Sequence, residues 1–269
     1  TWGKLTMFMR TSADHGATWS WPKIIGPDFG LRNMPIAGSI ITNNGRILLP
    51  CDAVTSGHGG TVLWEGTKRG AAWRLLSDST WSPEYEQGST GKWIAGIHAG
   101  IVELRDNRLL AFGRGNAING QMPMSISSDG GVTWTYDASP FPPISGGQRL
   151  ALLRLKEGPI LFVSFTSEHD MTDLLISDEK GKKAFQHGMY AALSYDEGNH
   201  WPVKKLMSNR RAPRTYNGGA WTRAFTMDRF HAEPKGYLIA RQAPDGTIHL
   251  LSSGLHYQFN LSWLESQLN

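Results

Sequence analysis

One eight-residue pattern recurs along this chain and limits what it can fold into. Ser127-Ser-Asp129-Gly-Gly131-Val-Thr133-Trp134 reads Ser-x-Asp-x-Gly-x-Thr-Trp, and Ser12-Ala-Asp14-His-Gly16-Ala-Thr18-Trp19 repeats it. Ser194-Tyr-Asp196-Glu-Gly198-Asn-His200-Trp201 carries His200 where the others have Thr, and Gly66-Thr-Lys68-Arg-Gly70-Ala-Ala72-Trp73 keeps only the Gly-x-x-Trp end. The shared glycines, Gly16, Gly70, Gly131 and Gly198, are 54, 61 and 67 residues apart. Each interval is about the length of one four-stranded sheet with its loops, and repeats so spaced mark propellers or solenoids.

Each copy has the chemistry of a hairpin turn. Short Asp and Ser side chains bond backbone N–H groups inside a turn, and Gly supplies the positive φ. The Trp then packs the hairpin on its sheet, with its ring N–H free to find an acceptor. The composition agrees: 269 residues, 40% hydrophobic, with 11 Trp, 31 Gly and 14 Pro, suit one domain of many short strands and turns.

The pattern is the Asp-box, and the chain resembles the sialidase-like Asp-box β-propellers. That resemblance implies an all-β propeller of four-stranded antiparallel blades, residues 1–269 forming a single domain. It also implies that the boxes lie at blade edges away from the site, so their Asp residues are not catalytic. The intact family has six blades, and about four to five blades' worth are legible here. The favoured reading is therefore a propeller lacking roughly two blades at its N-terminus, the alternative a compact ring of four. Thr1 is not an initiator Met, no charged segment with an apolar signal core follows it, and 5–11 already reads as a strand.

Alternation and turn residues place the blades. Residues 5–21 read as strand, box, strand. A hairpin follows over 35–50 with Asn44-Gly45 at its tip, then strands at 61–64 and 73–76. The second blade reads over 95–104, 108–112, 122–126 and 134–136, the third over 149–155, 160–165, 189–193 and 203–206. The last holds 237–242, 247–251 and 256–260, ahead of a weakly helical tail. Two long polar stretches, 166–187 and 207–235, read as connections; loops of that length tend to be functional.

Composition narrows the partners. The net charge of +4 and a pI near 9.2 favour acidic partners mildly. Basic residues are scattered, with no basic helix or nucleic-acid motif, so no nucleic-acid partner is expected. Cys51, the sole cysteine, excludes an internal disulfide. No apolar run approaches about 18 residues, so no membrane span is expected. His98, His169, His231 and His256 lack close metal-ligand spacing, and no metal or cofactor is implied.

The family resemblance assigns the ligand face to loops joining strands two and three and to the connections between blades. On that face fall Arg32, Asp52, His58, His98, Arg114, Asn116, Asn119, Gln148, Arg149, Glu168, His169, Asp170, His231, Glu233, Tyr237 and His256. Gly236-Tyr237 stands eight residues ahead of Asp245-Gly246, the spacing of the sialidase nucleophilic Tyr. A neutral phenol avoids the repulsion a carboxylate would meet from an anionic sugar. By the same resemblance Glu233 would be its base, and Asp52 or Asp170 the acid. Arg114 and Arg149 would clamp an anionic group, since a guanidinium fork matches a carboxylate. His98, Gln148, His231 and Asn116 would complete the substrate contacts. The residues alone equally allow Tyr237 to be an inter-blade packing residue and Glu233 a solvated loop residue.

The chain departs from the sialidase pattern at three places. Gln186-His187-Gly188 stands where a late Arg is usual, Arg32-Asn-Met-Pro35 replaces Arg-Ile-Pro, and Ser252-Ser253 replaces a Glu. These departures tell against sialic acid itself, though not against a sugar ligand in general. The resemblance implies a secreted or periplasmic exo-acting glycoside hydrolase acting on a terminal acidic or polar sugar of a glycan. The other classes open at this stage are a non-catalytic glycan- or protein-binding propeller and a polysaccharide lyase on the same scaffold.

Overall fold

The computed structural model describes residues 6–25, 34–53, 59–67, 72–77, 84–166, 175–177, 183–208 and 212–266. The chain is an all-β ring of four antiparallel blades. Blade one is built on Ile47–Asp52, Gly60–Gly66 and Trp73–Leu75, with two short inner segments, Met34–Pro35 and Ile40–Ile41, both paired to Ile47–Asp52. Blade two runs Ile97–Glu103, Leu109–Arg114, Pro123–Ser127 and Trp134–Ala138, with Thr90–Gly91 added outside. Blade three runs Ala151–Arg154, Ile160–Phe165, Met189–Ser194 and Val203–Leu206. Blade four has three strands, Ile239–Gln242, Ile248–Leu251 and His256–Phe259. The first Asp-box closes a separate hairpin of Phe8–Met9 and Lys23–Ile24, which packs on blade one through Met7 and Ile25.

Blades one and four meet. The Arg241 guanidinium donates to the Ser39 carbonyl at 2.5 Å, across 202 residues of chain. Gly38 lies beside Ile239, where an added Cβ would stand 3.4 Å from that side chain. The four blades fall within the four to five blades' worth legible in the sequence.

The boxes have the geometry their residues dictate. Asp129 accepts from the N–H groups of Val132 and Thr133 and from the Thr133 hydroxyl, while the Ser127 hydroxyl accepts from Gly131 N–H at 2.8 Å. Asp14 and Asp196 do the same, with His200 Nδ1 in the hydroxyl's place at 2.5 Å from Asp196. The Trp19 and Trp201 ring N–H groups each donate to the box glycine's carbonyl. Bonds from Thr18 and Ser12 draw the Asp14 carboxyl down to about 2. These carboxylates are committed to their turns. In the worn copy residues 68–71 lie outside the described residues, and the Thr67 hydroxyl takes the Ala72 N–H instead.

The main core lies between blades two, three and four. Phe112, Phe141, Phe162 and Tyr190 are fully buried, and the Phe141 and Phe162 rings stack at 4.3 Å. Trp201 of the third box closes over Phe141 edge-on at 5.1 Å. Glycine matters most where blade two's second strand crosses Ile94–Ala95, a segment paired with Gly60–Gly66 of blade one: a Cβ on Gly113 would fall 2.0 Å from the Ala95 carbonyl oxygen.

One sequence expectation is corrected, and the helical reading of the tail is met. The stretches read as long connections carry strands: Leu175–Ser177 pairs Lys183–Phe185, and Arg214–Asn217 pairs Ala224–Met227. The tail is a defined helical turn, Leu261–Glu265, whose Asn260 side chain accepts from Trp263 N–H at 2.8 Å. Among the described residues no helix is long and apolar enough to cross a membrane.

Candidate active site

Antiparallel alternation decides which residues share an end of the axis. Ile97 pairs with Arg114 and Glu103 with Leu109, so blade two's inner strand starts at the end where its second strand finishes. Its Asp-box joins strands three and four at the opposite end. The same logic brings the start of each inner strand, with His98, Arg149 and Tyr237, to the end reached by Asp52 and Arg114.

A two-rung ladder then aligns two of them. Gln148–Arg149 pairs in parallel with Gly236–Tyr237, Arg149 opposite Tyr237, and Leu238 N–H donates to the Arg149 carbonyl at 3.2 Å. Tyr237 N–H is held by the Ser253 hydroxyl at 3.1 Å. The Arg149 guanidinium carbon lies 4.8 Å from the centre of the Tyr237 ring. From blade two, Arg114 Nη1 reaches 3.5 Å from the Tyr237 hydroxyl and donates to the Gln148 carbonyl at 3.1 Å.

Asp52 and His98 complete the group as a buried pair, 3% and 2% exposed. Asp52 Oδ1 accepts the His98 backbone N–H at 2.8 Å, and Oδ2 lies 3.0 Å from His98 Nε2. The imidazole meets the Tyr237 ring edge-on at 5.4 Å. Burial pushes the His98 pKa down; Asp52 pulls it up, while Arg114 and Arg149 lower it further. The ring is therefore neutral near pH 7, with its proton on Nε2 toward Asp52. That leaves Nδ1 as an acceptor, buried and without a hydrogen-bond partner. His98 also sits at φ +56°, a left-handed conformation uncommon outside Gly and Asn.

Arg149 Nε is likewise buried without a partner. Burial lowers the Arg149 pKa, opposed by Tyr237 and Asp52 and reinforced by Arg114, but a guanidinium stays charged in a protein. Two cations, a phenol and a neutral imidazole are thus gathered at one end of the axis.

Asp52, His98, Arg114, Arg149 and Tyr237 are brought together; the other expected residues are not. Glu233 is fully buried, its oxygens taking bonds from the Ser252 hydroxyl at 2.9 Å and the Tyr257 hydroxyl at 2.7 Å. The tyrosine it meets is therefore Tyr257, not Tyr237. Gln148 spends its amide on Pro234 O and Ser145 N, so its backbone carbonyl is what Arg114 meets. Asn116 accepts from Gly59 N–H at 2.9 Å, fastening a blade-one loop. His231 is exposed, bonded to Asp228 at 2.9 Å and stacked on His187 at 5.8 Å. Asp170, with Arg32, His58, Glu168 and His169, lies outside the described residues. Sequence reading missed that Asp52 and His98 form one unit and that Ser253 holds the Tyr237 backbone; no spacing signal links either pair.

The chain is thus a ring of Asp-box blades with two cations and a phenol gathered at one end of its axis. The sequence profile of the BNR repeat-like domain matches residues 1–250, and the chain belongs to that family. A sialidase from Micromonospora viridifaciens is 27% identical over 273 residues, covering 94% of this chain and 35% of that protein. The chain thus spans about a third of that relative's length. Among solved structures, an intramolecular trans-sialidase from Ruminococcus gnavus superposes with a TM-score of 0.53 at 17% identity, over 97% of this chain and 51% of the other. An α-L-arabinanase from Penicillium chrysogenum gives 0.50 at 16% identity, over 97% and 72%. These two likenesses concern the fold.

Proposed function

We propose that this propeller is the catalytic unit of an exo-acting glycoside hydrolase that removes a terminal acidic sugar from a glycan. The observation that carries the reading is the convergence of Tyr237 with Arg114 and Arg149 above the buried Asp52–His98 pair. Arg114 and Arg149 hold the sugar's anionic group, and the phenol oxygen of Tyr237 attacks the anomeric carbon. His98 Nδ1 takes the phenol proton, and Asp52 steadies the imidazolium that forms, as a carboxylate does behind other catalytic histidines. As the Tyr237–sugar bond forms, the bond to the leaving-group oxygen breaks, and that oxygen takes a proton from solvent water. Water then releases the sugar and returns the phenol. In the free protein the phenol is nearer Arg114 than hydrogen-bonded to His98, so the reading requires that contact to tighten on binding. His98–Asp52 replaces Glu233 as the proton-handling group.

The test is hydrolysis of aryl glycosides of acidic and neutral sugars by the wild type and by Tyr237→Phe. Release from acidic sugars alone, falling at least 10³-fold in Tyr237→Phe, is the expected result. Equal activity in the two proteins would remove Tyr237 from the mechanism.

The His98–Tyr237 ring contact favours a second reading, a polysaccharide lyase. A base there removes the proton on the carbon next to a uronate carboxylate, and the glycosidic C–O bond breaks as a C=C bond forms. The products separate the two: a lyase leaves an unsaturated sugar that absorbs ultraviolet light, a hydrolase does not.

A further inference from the structure

The axis has a second mouth. Five residues of strand separate His98 from Glu103, and Arg149 from Arg154, so the inner strands carry the chain roughly 17 Å from the Tyr237 site to the opposite end. There the inner strands of all four blades enclose a cavity of about 810 Å³. That size falls in the range of small-ligand sites.

Its lining is cationic on an aliphatic wall. Arg105, Arg154, Lys156 and Arg241 face it with one carboxylate, Glu103, while Ile40, Ile41 and Leu153 supply apolar surface. Glu197, reaching in from the third Asp-box, bonds Arg154 at 2.6 Å and Arg105 at 3.2 Å, neutralising one of the two. Lys156 and Arg241 are tethered differently. Lys156 Nζ donates to the Ala243 carbonyl at 2.8 Å and Arg241 to the Ser39 carbonyl at 2.5 Å, bonds that fix each cation without cancelling its charge. Glu157 spends its oxygens on the Gln242 amide at the rim. A concave surface of one predominant sign, with low-dielectric walls, concentrates counter-charge.

We propose that this mouth is a second, non-catalytic binding site for an anionic saccharide. Lys156 and Arg241 take its carboxylate or sulfate groups, and the apolar faces of its rings lie on Ile40 and Ile41. A glycan held there would sit on the far side of the disc from Tyr237, so the site anchors a polymer rather than presenting its end for reaction. It does not depend on the reaction assigned to Tyr237.

Calorimetric titration of the whole chain with oligogalacturonate, a sulfated chondroitin oligosaccharide, a neutral maltooligosaccharide and inorganic sulfate tests this. The two acidic saccharides separate carboxylate from sulfate as the preferred group. Binding that survives the double variant Arg149→Gln/Tyr237→Phe and weakens at least tenfold in Lys156→Glu is the expected result. Ile41→Asp, at a side chain 74% exposed and so spared any cost to the core, should weaken it similarly. Hydrolysis of small acidic substrates should be unchanged in both mouth variants. The proposal is overturned if acidic saccharides give no heat, or if their binding disappears with the axial double variant. It is equally overturned if Lys156→Glu and Ile41→Asp both leave binding intact, or if the neutral saccharide or sulfate alone binds as tightly.

Discussion

Asp52 and His98 show what single residues contribute. Because burial depresses His98 and Asp52 raises it, Asp52→Asn should shift the acid limb of a kcat/KM–pH profile to lower pH. The same change should reduce kcat by about 10²-fold or more, since the imidazole loses its orientation. Glu233 makes the contrasting case. Burial raises its pKa against the lowering effect of bonds from Tyr257 and Ser252. A carboxyl raised on folding destabilises the protein once pH exceeds its unfolded value, and stability returns as pH falls. Glu233→Gln should therefore hold or raise the Tm at pH 8, whereas Glu233→Ala strands the Tyr257 hydroxyl and should cost about 1–3 kcal/mol by denaturant unfolding. Near-normal kcat in Glu233→Gln would separate it from Tyr237; a collapse of kcat would restore it as the base. The sequence placed Asp52 and His98 on the ligand face, but neither pairing was legible in it. Asp52 and His98 are 46 residues apart, and Glu233 stands close enough to Tyr237 in the chain to invite a pairing that the strand geometry does not make.

At the scale of elements the sequence was far more informative. An Asp-box is a local structure whose bonds span at most four residues, so its pattern reads directly as a turn and partitions the strands around it. Asp129→Ala removes those bonds and should cost about 1 kcal/mol, comparable to losing a helix cap, with kcat unchanged. Gly113 is less forgiving. A Cβ placed 2.0 Å from the Ala95 oxygen must push apart the strands that carry Arg114, so Gly113→Ala should lower the Tm and activity together. The hairpin within 214–227 escaped notice because six residues, 218–223, join its strands, so Gly218-Gly219 does not stand as a two-residue turn between alternating runs.

For the whole molecule, the number of blades was legible, because the boxes mark blade edges. How the first and last blades meet was not, since local pattern carries no information about contacts between distant parts of a long chain. Carboxylates help bind the blades to one another. Glu197 joins blade three to Arg105 of blade two, whereas Glu65 receives Arg46 and Arg74 inside blade one and so holds Arg46, which reaches across to the Gly130 carbonyl of blade two. Burial works against both, but the arginine bonds outweigh it and hold the two carboxyls below their usual range. A depressed carboxyl contributes stability that is complete above its unfolded pKa and lost as pH falls through the folded value. Thermal unfolding followed from pH 6 downward should thus show a falling Tm below roughly pH 4, and Glu197→Gln should flatten that fall.

The two-rung ladder between Arg149 and Tyr237 has a kinetic consequence. It ties two blades together at the axis, and the Arg114 contact to Tyr237 spans 123 residues. Local hairpins and boxes form early, while loops of that length close late. During refolding, the β-sheet circular dichroism should therefore recover ahead of enzymatic turnover, leaving an interval in which the blades exist and the chemistry does not.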